Sequence, residues 1–187
     1  MEILRKIYTF LIDTIQTFLM AAAVFLVIYV FLFRPFEVKG ESMFPSFLND
    51  EYVLTNLITL KFGEPQKGDV VVFKSPLDAE KDYIKRIIGI QGDSIMIKDG
   101  SVYVNNVIFN EEQYLNPAIK TYGGAFARDG EAVVVPEDEF FVMGDNRPYS
   151  SDSREWGFVK KGGLIGKSFF VYWPLDRMGI IKNPFKE

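Results

Sequence analysis

Residues 69–109 decide the fold, and they read DVVVFKSPLDAEKDYIKRIIGIQGDSIMIKDGSVYVNNVIF. Short runs of β-branched and other apolar side chains alternate there with turn-forming residues, a pattern typical of consecutive β-strands. Asp99-Gly100 separates two alternating runs and is the strongest short-range indication of a β-hairpin in the chain. Asn105-Asn106 is expected to turn a second hairpin. The stretch therefore predicts strands that pair with their neighbours in antiparallel sheets.

The same alternation extends to both sides of this stretch. Strands are predicted at 69–73, 83–90, 94–98, 101–104, 107–109, 132–135, 140–143 and 166–173. No useful stretch of helical period follows residue 34, so residues 34–187 are predicted to form one mainly β, mostly antiparallel domain. Residues 111–130 carry polar side chains, glycines and one proline, which indicates an insertion in the sheet or an excursion from it.

An uncharged segment precedes the β domain, because residues 14–33 read TIQTFLMAAAVFLVIYVFLF. A helix of this length is about 30 Å long, the thickness of the hydrocarbon core of a bilayer. A buried core helix would normally keep a polar stripe, and the apolar part of a cleaved secretory peptide would be shorter. We therefore expect a tail at residues 1–13, a single transmembrane helix at 14–33 and a globular β domain at 34–187.

The charges beside this segment favour one orientation only slightly. Arg5 and Lys6 precede it, and Arg34 and Lys39 follow it, so the positive-inside count is nearly balanced. The free amino terminus tips the balance toward a cytoplasmic amino terminus. The expected location is therefore the cell membrane, crossed once, with the β domain on the extracytoplasmic side and the lipid bilayer as a partner.

The composition excludes several kinds of site. The chain has no histidine and no cysteine, and 21 basic against 25 acidic side chains give a formal net charge of −4. Ser-His-Asp and Cys-His catalysis, disulfides and cysteine-bound metal clusters are thereby ruled out. The acidic residues lack the spacing of metal ligands, so no metal and no cofactor are expected. The mild acidity gives no reason to expect a nucleic-acid partner.

Ser42 and Lys85 are the candidate reactive residues. Ser42 lies nine residues beyond Phe33, a distance of at most about 30 Å, so we expect it near the outer membrane surface. A lone serine before a proline-containing turn is usually only a turn residue. Lys85 lies in the apolar run YIKRIIG, where alternation places it on one strand face with Tyr83 and Ile87.

Two interpretations of this lysine remain open. The first places it on an edge strand, where lysines protect against aggregation and extend their amines into water. Alternatively it is a general base, which requires burial to lower its pKa by roughly 2–3 from an ordinary value near 10.4. In a chain without histidine, serine with a desolvated lysine is the remaining familiar serine-nucleophile pairing.

A third segment, residues 144–154, reads GDNRPYSSDSR and follows a predicted strand. Its hydroxyls, carboxylates and guanidiniums are denser than a solvated turn needs. Together with SMFP at 42–45, GDVV at 68–71 and KRIIGIQGD at 85–93, it resembles the bacterial type I signal peptidases. The order, the spacing and the amino-terminal anchor match that family, and the resemblance extends from the anchor to about Trp173.

The resemblance implies a mainly β protease with a Ser-Lys dyad, which cuts secretory preproteins after a small-x-small sequence. By position, Ser42 is the nucleophile, Lys85 is the general base and Ser150 is the serine that hydrogen-bonds the lysine. The matching structural pairs are Asp145 with Arg86 and Asp152 with Arg154. The backbone N–H of Ser42 would stabilise the oxyanion; at position 40, where some members add a serine hydroxyl, this chain has glycine.

Substrate recognition is expected to use exposed strand edges near residues 37–43 and 82–84. Shallow pockets that admit alanine are predicted to be lined by Phe36, Val38, Met43 and Ile84. The sequence leaves the oligomeric state open. Two alternatives also remain: a self-cleaving repressor-type Ser-Lys protease, which would need a DNA-binding domain, and a non-catalytic membrane-anchored binding module, which would tolerate loss of the dyad.

Overall fold

The structure is a computed structural model that describes residues 1–186, with the side chains at 28, 30, 61 and 62 outside the description. The chain divides into two compact units, Met1–Arg34 and Pro35–Glu187. The first is a helix and the second is built mainly of β-strands.

Helix α1 spans Glu2–Leu32, so it begins well before the predicted membrane segment. Its stretch Glu2–Val27 has a mean hydropathy of 2.0 with no buried part, and by length and composition it could cross a membrane. Pro35 explains where the helix ends. The residue before a proline is disfavoured in the α conformation, and the chain is already extended at Phe33, with φ −131° and ψ 140°. The bounds 14–33 for the membrane-embedded part stay a prediction.

Among the described residues, twelve strands and two short α-helices follow α1, and the first strand begins at Phe33, at the end of the first unit. The strands are β1 (Phe33–Glu37), β2 (Tyr52–Asn56), β3 (Val70–Lys74), β4 (Asp82–Gly89), β5 (Ser94–Lys98), β6 (Ser101–Val104), β7 (Val107–Ile108), β8 (Ala132–Val134), β9 (Glu139–Met143), β10 (Val159–Lys160), β11 (Leu164–Trp173) and β12 (Gly179–Ile180). The helices are α2 (Thr59–Phe62) and α3 (Ser153–Trp156). All eight predicted strands are present within two residues of their predicted bounds, whereas β1, β2, β10 and β12 were not predicted.

The strands form two sheets. The larger has the order β1-β2-β11-β3-β4-β9-β10, with β12 paired to β11, and the smaller has the order β7-β6-β5-β8. Every strand pair with a described register is antiparallel, which confirms the predicted class. β4 lies between β3 and β9, although its register with β9 begins only at Arg86. Lys85 is buried, so the interpretation of an edge-strand lysine with its amine in water is wrong.

Both predicted hairpin turns are present in the smaller sheet. Asp99 and Gly100 have φ values of 53° and 79°, and Asn105 and Asn106 have 54° and 65°. Positive φ at both central residues is the geometry of a type I′ turn, whose twist matches that of the flanking strands. The local sequence therefore determines the β5–β6 and β6–β7 connections.

Apolar clusters lie on both faces of the larger sheet and position the site. Val70 on β3 packs in a cluster with Val38, Met43 and Val53, whereas its neighbour Val71 packs in a second cluster. A central strand covered on both faces needs the continuous apolar run VVVF rather than an alternating one. The first cluster fixes the chain on either side of Ser42, since it contains residues 38 and 43.

Candidate active site

The structure brings Ser42 and Lys85 into direct contact. Lys85 Nζ donates to Ser42 Oγ over 2.7 Å and to the carbonyl oxygen of Ile84 over 3.0 Å. The Lys85 residue is only 4% exposed. Its Nζ lies 5.4 Å from the centre of the Tyr83 ring, as expected for residues on one strand face. Interior strand β4 thus presents an amine to the serine of a segment that lies 43 residues away in sequence.

Burial of Lys85 lowers the pKa of its amine from 10.5 to about 8, although the negative charges of Asp152 and Asp145 partly offset the effect. Removal from water disfavours the charged form, and this desolvation is the larger influence. At pH 7 about one amine in ten is then neutral, compared with about one in a few thousand for an ordinary lysine. The amine is therefore able to accept a proton near neutral pH.

The backbone around Ser42 is held from the 144–154 loop. The Asn146 N–H donates to the Ser42 carbonyl oxygen over 3.0 Å, and Asn146 Nδ2 donates to the Glu41 carbonyl oxygen over 2.9 Å. Among the described residues no acceptor takes the Ser42 N–H. That donor is therefore available to a developing oxyanion. Nearby, Gly40 has a φ of +85° and donates its N–H to Asn49 Oδ1 over 2.6 Å.

Both predicted ion pairs are formed and buried. Arg86 donates to the two carboxylate oxygens of Asp145 over 2.9 and 2.6 Å, and Arg154 donates to those of Asp152 over 2.8 and 2.8 Å. Asp152 also accepts the Gly144 N–H over 3.0 Å and caps α3. Burial acts to lower the pKa of Arg86, but attraction to Asp145 outweighs it and leaves that pKa raised. Fork-shaped pairs of this kind fix the loop geometry.

Ser150 differs from its predicted role. Its Oγ is buried and has no hydrogen-bond partner among the described residues, because Lys85 directs its bonds to Ser42 and Ile84. The hydroxyl lies against Gly144 instead. A Cβ atom on Gly144 would lie 2.2 Å from Ser150 Oγ and 2.4 Å from the Ser42 carbonyl oxygen. Ser150 therefore packs beside the dyad without bonding to the amine.

A cavity of about 300 Å³ adjoins the dyad, and its wall includes Ser42 and Lys85. Three of the predicted pocket residues line it, namely Phe36, Val38 and Ile84. Met43 is not among the residues that line this cavity, and its side chain is fully buried in the apolar cluster with Val38 and Val53. The turn after Ser42 directs Met43 inward. Sequence reasoning missed the lining residues Val53, Val72, Tyr83 and Ser151.

Sequence reasoning also missed two roles within the 144–154 loop. Asn146 holds the backbone of residues 41 and 42, and Arg147 connects the loop to the 111–130 excursion. The unusual density of polar residues indicated that the loop matters, but it did not assign partners. For the excursion no local pattern indicated its contacts with the loop, since they join residues that are far apart in sequence.

Comparisons with known proteins show which family this chain is similar to. The family model described as signal peptidase, peptidase S26, matches residues 11–173. Signal peptidase I P of Bacillus subtilis subsp. natto is 36% identical over 171 residues, which cover 90% of this chain and 92% of that protein. Signal peptidase IB of Staphylococcus aureus (strain MRSA252) is 32% identical over 185 residues, covering 93% and 95%.

A solved signal peptidase I from Enterococcus faecalis V583 matches with a TM-score of 0.46 at 30% identity, and the match covers 56% of this chain and 96% of that one. The family match includes the positions of Ser42, Lys85 and the whole 144–154 loop. The sequence matches to the curated relatives extend over nine-tenths of the chain or more. This chain therefore belongs to the signal peptidase family, peptidase S26.

Proposed function

We propose that this protein is a membrane-anchored serine endopeptidase that removes signal peptides from secretory preproteins, with Ser42 as nucleophile and neutral Lys85 as general base. The observation that carries the proposal is the 2.7 Å contact between Lys85 Nζ and Ser42 Oγ beside an open cavity. Family membership supports the same reaction. No observation favours a repressor-type protease or a non-catalytic binding module.

The reaction follows from the contacts of the dyad. The neutral Lys85 amine accepts the Ser42 hydroxyl proton while Oγ attacks the scissile carbonyl carbon. The Ser42 N–H donates to the oxyanion of the tetrahedral intermediate. The Lys85 ammonium then returns its proton to the leaving amine, and an acyl-enzyme remains on Oγ. Water, deprotonated by the same amine, hydrolyses that ester and restores the enzyme.

An extended substrate fits the edge of β4. Among the described residues Asp82, Tyr83 and Ile84 pair with β3, whereas β9 joins only from Arg86 onward. One backbone edge before Lys85 is therefore open to a substrate strand. The apolar wall formed by Phe36, Val38 and Ile84 and the modest cavity volume suit small side chains, which supports cleavage after small-x-small sequences.

Helix α1 is proposed as the anchor, with the amino terminus in the cytoplasm and the catalytic domain on the extracytoplasmic side. The apolar composition of the helix supports the first part. Arg5 and Lys6 before the span support the second part, and Arg34 and Lys39 after it nearly balance them. A preprotein whose apolar segment lies in the same bilayer approaches the enzyme already confined, which lowers the entropy cost of positioning its scissile bond.

Three substitutions test the dyad in the purified full chain in detergent. Ser42→Ala and Lys85→Ala should leave a folded protein that no longer cleaves a preprotein with alanine at both recognition positions. Lys85→Arg should also be inactive, because a guanidinium does not deprotonate near neutral pH. Lys98→Ala, at an exposed lysine on β5, is the control and should cleave like the wild type. Retained cleavage by Lys85→Ala would reject the dyad.

A further inference from the structure

The 111–130 excursion contacts the 144–154 loop at two arginines, Arg154 and the fully buried Arg147. Arg147 Nη1 donates to Glu111 Oε2 over 2.9 Å and to Thr121 Oγ1 over 2.8 Å. Its Nη2 bonds the second Glu111 oxygen, and its Nε donates to the Gly144 carbonyl oxygen over 3.0 Å. One guanidinium therefore ties two residues of the excursion to the first residue of the loop.

The same short stretch of the loop holds the nucleophile. Asn146 bonds the carbonyl oxygens of Ser42 and Glu41, and Gly144 packs directly against the Ser42 carbonyl oxygen. Only Arg147 and its bond to the Gly144 carbonyl separate these contacts from Glu111. A displacement of Arg147 would thus be passed to Ser42 through residues 144 and 146.

Charge makes this connection sensitive to Glu111. The Arg147 side chain is 0% exposed, and the Glu111 side chain is 13% exposed. Burial acts to lower the pKa of Arg147, but attraction to Glu111, with smaller contributions from Tyr114 and Asp145, leaves that pKa raised. Without the Glu111 carboxylate, the buried guanidinium would lose its ion-pair partner, since Asp145 is already paired with Arg86, and this state favours its movement toward water. That movement would break its bond to the Gly144 carbonyl.

We propose that Glu111 is a positioning residue of the active site, which acts through Arg147 on residues 144–146 and so on the placement of Ser42. The inference rests on the proposed function, because it assigns the excursion a role in that same site. Tyr114, whose ring lies 4.2 Å from the Arg86 guanidinium, extends the contact of the excursion to the second buried arginine.

A matched pair of substitutions tests this role in the full chain in detergent. Glu111→Gln removes the buried charge, whereas Glu112→Gln makes the same chemical change at the adjacent, exposed glutamate. We expect kcat for Glu111→Gln to fall by about 10- to 100-fold with little change in KM, as a small misplacement of reacting groups does. Glu112→Gln should retain the wild-type kcat. A wild-type kcat for Glu111→Gln would overturn the inference.

A purely structural role would lower stability without selectively loosening the loop. Val104→Ala, in the buried core of the smaller sheet, therefore provides a destabilised comparison. Amide hydrogen exchange should accelerate in peptides covering residues 41–47 and 143–150 for Glu111→Gln but not for Val104→Ala. Unchanged amide exchange in these peptides would reject the positioning role of Glu111. The same holds if Val104→Ala, at an equal melting temperature, loses as much kcat as Glu111→Gln.

Two further comparisons keep the outcome clear. If Glu111→Gln does not fold, Thr121→Val removes a single bond to Arg147 at constant volume and should lower kcat by about 3-fold with the same exchange signature. An unaltered Thr121→Val kcat would then count against the inference. Cleavage by the wild type is measured in the same assay. If the proposed function is wrong, the wild type will not cleave the preprotein. The hydrogen-exchange pattern tests the positioning role of Glu111 independently of cleavage.

Discussion

Lys85 combines two properties that conflict in most lysines. Its amine is almost completely buried, yet it bonds the Ser42 hydroxyl rather than a carboxylate. Asp145 and Asp152 are near enough to raise its pKa, but each is engaged with an arginine, so desolvation remains the larger influence. This residue can therefore do what histidine does in other serine proteases.

The pH dependence of cleavage should report this amine. The neutral form is the active one, so kcat/KM should rise with pH and level off above about 8, where burial has placed the Lys85 pKa. Measurement of kcat/KM between about pH 6 and 10 on a short peptide checks this, with Lys98→Ala as a control that leaves the midpoint unchanged. A rise centred near the ordinary lysine value would mean that the amine is solvated in the working enzyme.

Individual residues of the site were predictable to different degrees. The two arginine–aspartate pairs are formed as predicted, and motif and spacing specify them together with the contact between Ser42 and Lys85. The surroundings of Met43 and Ser150 could not be predicted, since whether a side chain faces a cavity or a core depends on how distant segments pack. Glu111 had no local pattern at all, because its partner lies 36 residues further along the chain.

At the scale of elements, the loop after β9 has no space for a side chain at its first residue, Gly144. Gly144→Ala would place a Cβ 2.4 Å from the Ser42 carbonyl oxygen and 2.2 Å from Ser150 Oγ, so something must shift. We expect kcat to fall by at least about 100-fold, because Ser42 is one of the groups displaced. Steady-state kinetics on purified protein provide the measurement.

Gly162→Ala is the matched control for this loop. A Cβ at Gly162 meets nothing within 4 Å, so the same substitution should leave kcat unchanged. Equal activity of Gly144→Ala and Gly162→Ala would show that the loop can yield without moving the nucleophile.

The strands show why some elements are easier to predict than others. β5 and β6 are long enough to alternate and are joined by a turn with its own sequence pattern, so they were predicted with their observed bounds. β10 and β12 have two residues each, too few for any period to be read. α1 begins before the predicted span because no residue before Pro35 interrupts a helix. The predicted start at residue 14 was set only by where the uncharged run begins.

At the scale of the whole molecule, the orientation across the membrane can be tested directly because the chain contains no cysteine. Single variants Thr9→Cys and Asn106→Cys each introduce one thiol without changing the charge. A membrane-impermeant maleimide applied to intact cells whose outer surface is accessible should label Asn106→Cys. It should label Thr9→Cys only after the membrane is permeabilised. The reverse pattern would invert the proposed topology.

The class of the molecule was predictable, but its strand order was not. Alternating patterns indicate that a segment forms a strand, and short turns indicate neighbours such as β5 and β6. The placement of β11 between β2 and β3 joins segments that are far apart in sequence, and no turn specifies it. Few of the strands around the dyad are joined by short turns. Their neighbours in the sheet could therefore not be predicted from the sequence.

That placement of β11 has a consequence for the protein's own biosynthesis. Ser42 lies between β1 and β2, whereas Lys85 lies on β4, and the intervening partner β11 follows both in the sequence. Contacts between such remote segments form only after the chain has paid their loop-closure entropy. A growing chain therefore cannot join the two halves of the dyad through this sheet until β11 has been synthesised.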